Sequence, residues 1–234
     1  MKRRDFGQHC GLARALELVG ERWALLIVRD LTVRPKRYTD LLNGLPGIPT
    51  NVLSTRLKEL EQAGLVERRI APAPRRGVLY ALTSAGHELE PAVLALGRWG
   101  ATQLDEPRPG DIVTPESVTM SLRGVFDPDA AAGLTASWEI RSTGLVLHAV
   151  VTDGRLEAGV GPTPDKPDLV ITFEPNEHDL PSYRALVQAA RCGLVELDGP
   201  RALLDTFLRV FAPPQPALPE ETPDMPIPQS PGAR

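Results

Sequence analysis

The stretch Leu53-Ser54-Thr55-Arg56-Leu57-Lys58-Glu59-Leu60-Glu61-Gln62-Ala63-Gly64-Leu65-Val66-Glu67-Arg68-Arg69-Ile70 decides the reading of the first half of this chain. Leu53, Leu57 and Leu60 recur at i, i+4 and i+7, which puts them on one face of a helix. A step of about 100° per residue then places Asn51, Ser54, Thr55 and Lys58 on the opposite face. The turn Pro46-Gly47-Ile48-Pro49 precedes this helix, which starts near Thr50. Gly64 reads as its glycine C-cap. Two strands follow, Leu65 to Ile70 and Val78 to Leu82, and the loop between them, Ala71 to Gly77, carries Arg75 and Arg76.

Working outward, Leu12, Ala15, Leu16 and Val19 share one helical face, and Trp23, Leu26, Ile27 and Leu31 share another. Pro35 stops that second helix. Tyr38, Leu41, Leu42 and Leu45 form a third, short one. Past the second strand, Thr83 or Ser84 can cap a long last helix whose stripe is Leu89, Val93, Leu96 and Gly100, flanked by Ala92 and Trp99. A lone apolar helix outside a compact module packs on something, and a second subunit is the simplest candidate; two-fold symmetry would then supply two half-sites on DNA.

Short helices, an outward polar helix face and a basic hairpin together predict a winged helix-turn-helix. Asn51, Ser54, Thr55 and Lys58 suit base edges and phosphates in a major groove. Arg75 and Arg76 at the hairpin tip suit phosphates or the minor groove. For an isolated helix the alternative is an ordinary solvated face, and for the arginines an edge kept soluble. The neighbouring elements favour DNA.

The charge distribution agrees. The chain of 234 residues has a net charge of -4, yet residues 1–100 hold 16 Lys/Arg against 10 Asp/Glu, and residues 101–234 hold 10 against 20. Only the first part would be drawn to phosphates. No run approaches the roughly 18 apolar residues of a membrane span. The basic start, Met1-Lys2-Arg3-Arg4-Asp5, leads into no apolar signal core, so the expectation is a cytoplasmic protein with no membrane partner. Cys10 and Cys192 form no disulfide or metal pattern, and His9, His87, His148 and His178 share no ligand spacing. No metal and no cofactor are expected. Nothing resembles a nucleophile elbow, a phosphate loop or a paired-carboxylate site, so the chain is not expected to be an enzyme.

Residues 9–104 resemble the HxlR family of bacterial winged-helix regulators. The matching residues are Cys10, the Gly20-to-Leu31 run with Trp23, Arg37-Tyr38 before Leu41, Leu45-Pro46-Gly47-Ile48, the Leu53-to-Val66 helix and exit, Tyr80-Ala81-Leu82-Thr83 and Gly86. The resemblance implies a homodimer on a short inverted repeat of double-stranded DNA near a promoter. The candidate DNA-contacting set is then Arg37, Thr50, Asn51, Ser54, Thr55, Lys58, Arg75 and Arg76. There are two departures. Many members begin the recognition helix with Ser-Pro, where this chain has Pro49-Thr50, and members commonly carry an arginine where this chain has Gly77. In some members that look like this one the cysteine equivalent to Cys10 senses electrophiles or oxidants. The other reading of Cys10 is a small buried residue in the dimer interface.

Residues 105–114 read as a linker of Asp, Glu, Pro and Gly. Beyond it come a helix over Val118 to Phe126, strands over Thr135 to Arg141, Leu145 to Val151, Arg155 to Val160 and Asp168 to Phe173, then helices over Tyr183 to Ala190 and Arg201 to Phe211. Asp153-Gly154 is a hairpin signal. Over residues 115–211 this order resembles the sterol carrier protein 2-like fold, on the Asp153-Gly154 hairpin, the Pro167-to-Phe173 strand and the Gly193-to-Gly199 segment before the last amphipathic helix. The Glu174-to-Cys192 stretch is shorter than usual there and lacks that family's inner glycine turn. The resemblance implies an antiparallel sheet with helices around an apolar pocket for a small-molecule ligand, lined by Phe126, Trp138, Leu147, Phe173 and Leu204. The other reading is that these five fill a core. Residues 212–234, with eight prolines in 23 positions, read as an extended or disordered tail.

The expectation is therefore an α+β chain. An N-terminal winged-helix domain (1–104) binds DNA and dimerises, and a C-terminal domain (115–211) senses or assembles. The alternatives are a small-molecule or lipid carrier with a vestigial DNA module, and a regulator switched by oxidation of Cys10.

Overall fold

A computed structural model of the chain describes residues 5–71, 76–105, 107–108, 110–175 and 180–212. Arg75, His178 and all of the Pro-rich tail except Ala212 lie outside the described residues.

Four helices open the chain: α1 (Gly11–Val19), α2 (Ala24–Val33), α3 (Tyr38–Gly44) and α4 (Thr50–Gln62). They are followed by β1 (Val66–Ile70) and β2 (Val78–Leu82), which pair antiparallel from Val66 opposite Leu82 to Ile70 opposite Val78. Lys36 adds a bridge to Tyr80 on the other side of β2. The first core holds Ile27, Val28 and Leu31 of α2, Leu41 of α3, and Leu53, Leu57 and Leu60 of α4, as the leucine spacing predicts. Gly64 adopts φ +73°, and the Leu65 amide donates back to the Leu60 carbonyl at 3.0 Å, so the glycine ends α4 and turns the chain into β1.

Two expectations need correction here. Trp23 does not sit within α2 but just before it, at φ +80°, with the Arg22 guanidinium 5.1 Å from its ring centroid. The long last helix is in fact two. Thr83 caps α5 (Ser84–His87) by accepting from the Gly86 amide, and a separate α6 (Glu90–Ala101) follows. Pro91 in the first turn of α6 explains the break, because it lacks an amide and its ring blocks a preceding helical turn.

α7 (Pro115–Val125) begins earlier than its apolar pattern suggests. Thr114 and Ser117 exchange side-chain-to-amide hydrogen bonds at 3.1 and 3.2 Å, and Pro115 fits the first helical position. The second sheet has the order β5-β4-β3-β6-β7. Its strands are β3 (Ala136–Ser142), β4 (Leu145–Thr152), β5 (Arg155–Val160), β6 (Leu169–Thr172) and β7 (Glu196–Asp198). The β4–β5 turn is Asp153-Gly154 with φ of 49° and 74°, the left-handed pair that such a hairpin requires. β3 and β6 run parallel, so the sheet is mixed rather than wholly antiparallel. α7, α8 (Tyr183–Cys192) and α9 (Ala202–Val210) supply Leu122, Leu186 and Phe207 to a second core with Trp138, Leu147 and Ile171. Among the described residues no helix is long and apolar enough to cross a membrane.

Candidate nucleic-acid interface

α4 presents its two faces as the leucine period dictates. Leu53, Leu57 and Leu60 are buried, whereas Thr50, Asn51, Ser54, Thr55 and Lys58 are exposed. Their polar groups are not equally available. The Ser54 hydroxyl donates to the Thr50 carbonyl at 2.9 Å and lies 3.2 Å from the Tyr38 hydroxyl, which donates to the same carbonyl at 2.7 Å. The Thr55 hydroxyl donates to the Asn51 carbonyl at 2.8 Å. Asn51 and Lys58 have no side-chain partner among the described residues.

Beside this face stands the β1–β2 hairpin. Its strand arginines are engaged. Arg68 pairs with Glu61 at 3.1 Å and lies over Tyr80, and Arg69 pairs with Glu67 at 2.6 Å. Arg76 is exposed. Arg37, at the start of α3, reaches under the hairpin, and its Nη1 donates to the Arg76 carbonyl at 3.4 Å. The structure thus brings Thr50, Asn51, Ser54, Thr55 and Lys58 onto one helix face, with Arg37 and Arg76 at the hairpin.

Comparison with known proteins matches the HxlR-like helix-turn-helix family over residues 18–108. An HTH-type transcriptional regulator of Synechocystis is 32% identical over 44% of this chain and 76% of its own length. The HTH-type transcriptional regulator YodB of Bacillus subtilis is 39% identical over 44% and 88%. An HTH-type regulator of Mycobacterium tuberculosis is 43% identical, and the chain spans 60% of its length. The chain belongs to the HxlR-like helix-turn-helix family. Its relatives are named as transcriptional regulators, and no catalytic activity is indicated. Among solved structures, the reduced form of YodB covers 44% of this chain and all of its own, at 37% identity and a TM-score of 0.36.

Within this HxlR-like domain, Gly77 has a physical reason. Its φ is +151°, a conformation that L side chains rarely adopt, and a Cβ there would also meet the Arg37 guanidinium. A glycine at this point leaves room for the Arg37 guanidinium.

The apolar face of α1 is bare at Leu12 and Leu16, and no residue of α6 is buried. Leu96 and Trp99 of α6 are exposed, as is Leu104 beyond it. Cys10, directly before α1, is exposed on the single chain. The backbone amides of Ala13 and Leu12 at that helix end hold its thiol below the usual thiol range, while its slight burial acts the other way.

Sequence reasoning missed a buried ionic cluster behind the interface. Asp30, Lys36 and Glu116 are all buried. Lys36 Nζ lies 3.2 Å from Asp30 and 3.0 Å from Glu116. Arg29 pairs with Asp30 at 2.7 Å, and Arg34 donates twice to Glu116 at 3.0 and 2.8 Å. Burial pushes the Glu116 carboxyl up, but its hydrogen bonds with Arg34 and Lys36 outweigh that and hold it below the usual carboxylate range. The only sequence signal was an acidic residue at the head of α7, which a capped helix start accounts for equally well.

In the C-terminal half, four of the five expected pocket residues are packed in the core: Trp138 and Leu147 at 0% exposure, Phe173 and Leu204 at 2%. The Trp138 ring lies 5.9 Å from that of Phe207 and 6.0 Å from that of Phe211, and its indole donates to the Leu203 carbonyl at 3.0 Å. Phe126 borders a cleft of about 500 Å³ between α6, α7 and β5, with Glu90, Arg123, Arg155 and Leu156 also in its wall. Among the described residues no cluster of His, Cys, Asp and Glu could hold a metal ion.

Proposed function

We propose that this chain is a DNA-binding transcriptional regulator that acts as a homodimer on an inverted-repeat operator. One observation carries the reading: the exposed polar face of α4, with Asn51 and Lys58 unpartnered, beside an arginine-bearing hairpin. Asn51 and Ser54 contact base edges, and Lys58, Thr50, Arg75 and Arg76 contact phosphates. Arg37 acts from beneath that hairpin. The bare apolar faces of α1 and α6 support dimerisation through Leu12, Leu16, Leu96 and Trp99.

The domain division at residues 105–114 is supported by the two separate cores. A five-stranded sheet with helices packed on it is consistent with a sterol carrier-like C-terminal domain. An apolar ligand there would need Trp138, Leu147, Phe173 and Leu204 to part, and the cleft at Phe126 is the alternative place for it. The carrier reading gains nothing from so closely packed a core.

The test is fluorescence anisotropy of the full-length protein, across a salt series, with DNA from immediately upstream of its own gene and an unrelated fragment. Selective binding with a steep salt slope is expected. Equal, weak binding to both fragments would count against an operator at that position.

Redox control through Cys10 is a second reading, favoured by an exposed thiol held below its usual range. Faster reaction of Cys10 than of Cys192, which is also exposed, with a thiol reagent at neutral pH is the expected result; equal rates would remove it.

A further inference from the structure

The segment between α2 and α3 is held from the other half of the chain. Arg34 and Lys36 lie on this segment, on either side of Pro35. Both bind one side chain, Glu116 in the first turn of α7. One carboxylate oxygen accepts both Arg34 bonds, and the other faces the Lys36 ammonium at 3.0 Å. α7 is tied at its far end too. Arg123 pairs with Glu90 of α6 at 2.9 Å, and Arg98 of α6 donates to the Gly124 carbonyl at 3.3 Å.

Lys36 connects this clamp to the DNA-facing surface. Its amide donates to the Tyr80 carbonyl at 2.9 Å and its carbonyl accepts from the Tyr80 amide at 2.8 Å, so it is the strand partner of β2 in the hairpin. The next residue is Arg37, whose amide donates to Asp40 at 3.0 Å to start α3 and whose guanidinium lies under the hairpin. A shift of Lys36 therefore moves both the middle of β2 and the helix before α4. Gly44, at the other end of α3, also borders the cluster: a Cβ there would sit 3.0 Å from the Asp30 carboxylate.

We propose that Glu116 is a positioning residue for DNA binding, which clamps Arg34 and Lys36 from the C-terminal unit and so sets the hairpin and α3. DNA affinity then depends on α7 being docked, and anything that displaces α7 weakens binding without touching DNA. This inference rests on the DNA-binding reading above. Without the Glu116 carboxylate the buried Lys36 ammonium keeps Asp30 alone and Arg34 loses its anion, and weakening a buried ionic network in this way drives local rearrangement.

The experiment uses the full-length chain and a duplex that the wild type selects from a random pool. Glu116→Gln, Glu116→Asp and Arg34→Gln are compared by anisotropy titration, circular dichroism and amide hydrogen exchange. Glu116→Gln should weaken binding about tenfold, the scale typical of coupling between distant sites. Its circular dichroism should stay unchanged, and exchange at Lys36 and Tyr80 should rise. Glu116→Asp, which restores the charge, should recover part of the affinity. Arg34→Gln removes the clamp from its solvent side, so it should act in the same direction even if Glu116→Gln fails to fold. Binding within twofold of wild type in the folded Glu116→Gln and Arg34→Gln variants would overturn the proposal. If the wild type selects no duplex, the DNA-binding reading fails instead. The exchange data then decide the clamp alone, and unchanged protection at Lys36 and Tyr80 sinks it.

Discussion

In α9 the apolar positions Leu204, Phe207 and Val210 are all covered, whereas in α6 no residue is buried and Leu96 and Trp99 stand 50% and 65% exposed. Both helices have an apolar stripe, and both lie at the end of a compact unit. The α9 stripe closes on its own sheet and on α8: Phe207 meets Trp138 of β3 at a ring distance of 5.9 Å, and the Tyr183 hydroxyl of α8 donates to the Phe211 carbonyl at the end of the helix. The α6 stripe is covered only in part: Val93 packs against the first core, and Leu96 and Trp99 are left bare. A helical stripe records that a helix packs, and not on what.

The largest effect that would sharpen this contrast is Phe207→Ala. Phe207 is fully buried among aromatic rings, so the cavity should cost about 3–5 kcal/mol in urea unfolding. A loss near that of a surface change would mean that α9 is no better covered than α6.

Next comes Glu116→Gln, at the joint between the two regions. We expect roughly 2–3 kcal/mol at neutral pH, below the full cost of unpairing a buried charge because Asp30 still faces Lys36. The folded carboxyl titrates below its ordinary value of 4.5, so its contribution is complete above that value and fades as pH falls through the folded one. The stability gap between wild type and variant should hold from pH 5 upward and shrink in acid. A gap independent of pH would show that the charge is not what matters.

Trp99→Glu should then separate the two helices in kind. It should weaken self-association by about 2 kcal/mol, roughly thirtyfold, in sedimentation equilibrium while leaving the circular dichroism of the protomer intact. An unchanged dimer would remove the interface reading of α6. The smallest effect is Lys58→Ala, which should flatten the salt dependence of DNA binding by about one unit for every sequence alike, without altering stability.

What the sequence made legible was what local periodicity controls. The α4 leucines, Gly64, both hairpin strands and the Asp153-Gly154 turn all follow from spacing and turn chemistry within a few residues. The outward residues of α4 followed from the same period. What stayed hidden depended on partners far along the chain. The parallel pairing of β3 with β6 joins residues about thirty positions apart. The break between α5 and α6 turned on one proline competing with a continuous apolar stripe. Tyr38 packs against the first core as its place on an apolar face predicts, but the reach of its hydroxyl to Ser54 was not legible. The ionic cluster could not be read at all, since Asp30, Lys36 and Glu116 look like ordinary surface charges until the fold encloses them.

The cluster also has a consequence for the order of events at the ribosome. Glu116 follows Arg34 by 82 positions. At about 5–20 residues per second, synthesis needs roughly 4–16 s to add that stretch. α2, α3, α4 and the hairpin can close on one another in that interval, with Lys36 facing Asp30 alone. The nascent first unit thus passes through a stage in which Lys36 lacks its second anion, and translation of α7 ends that stage.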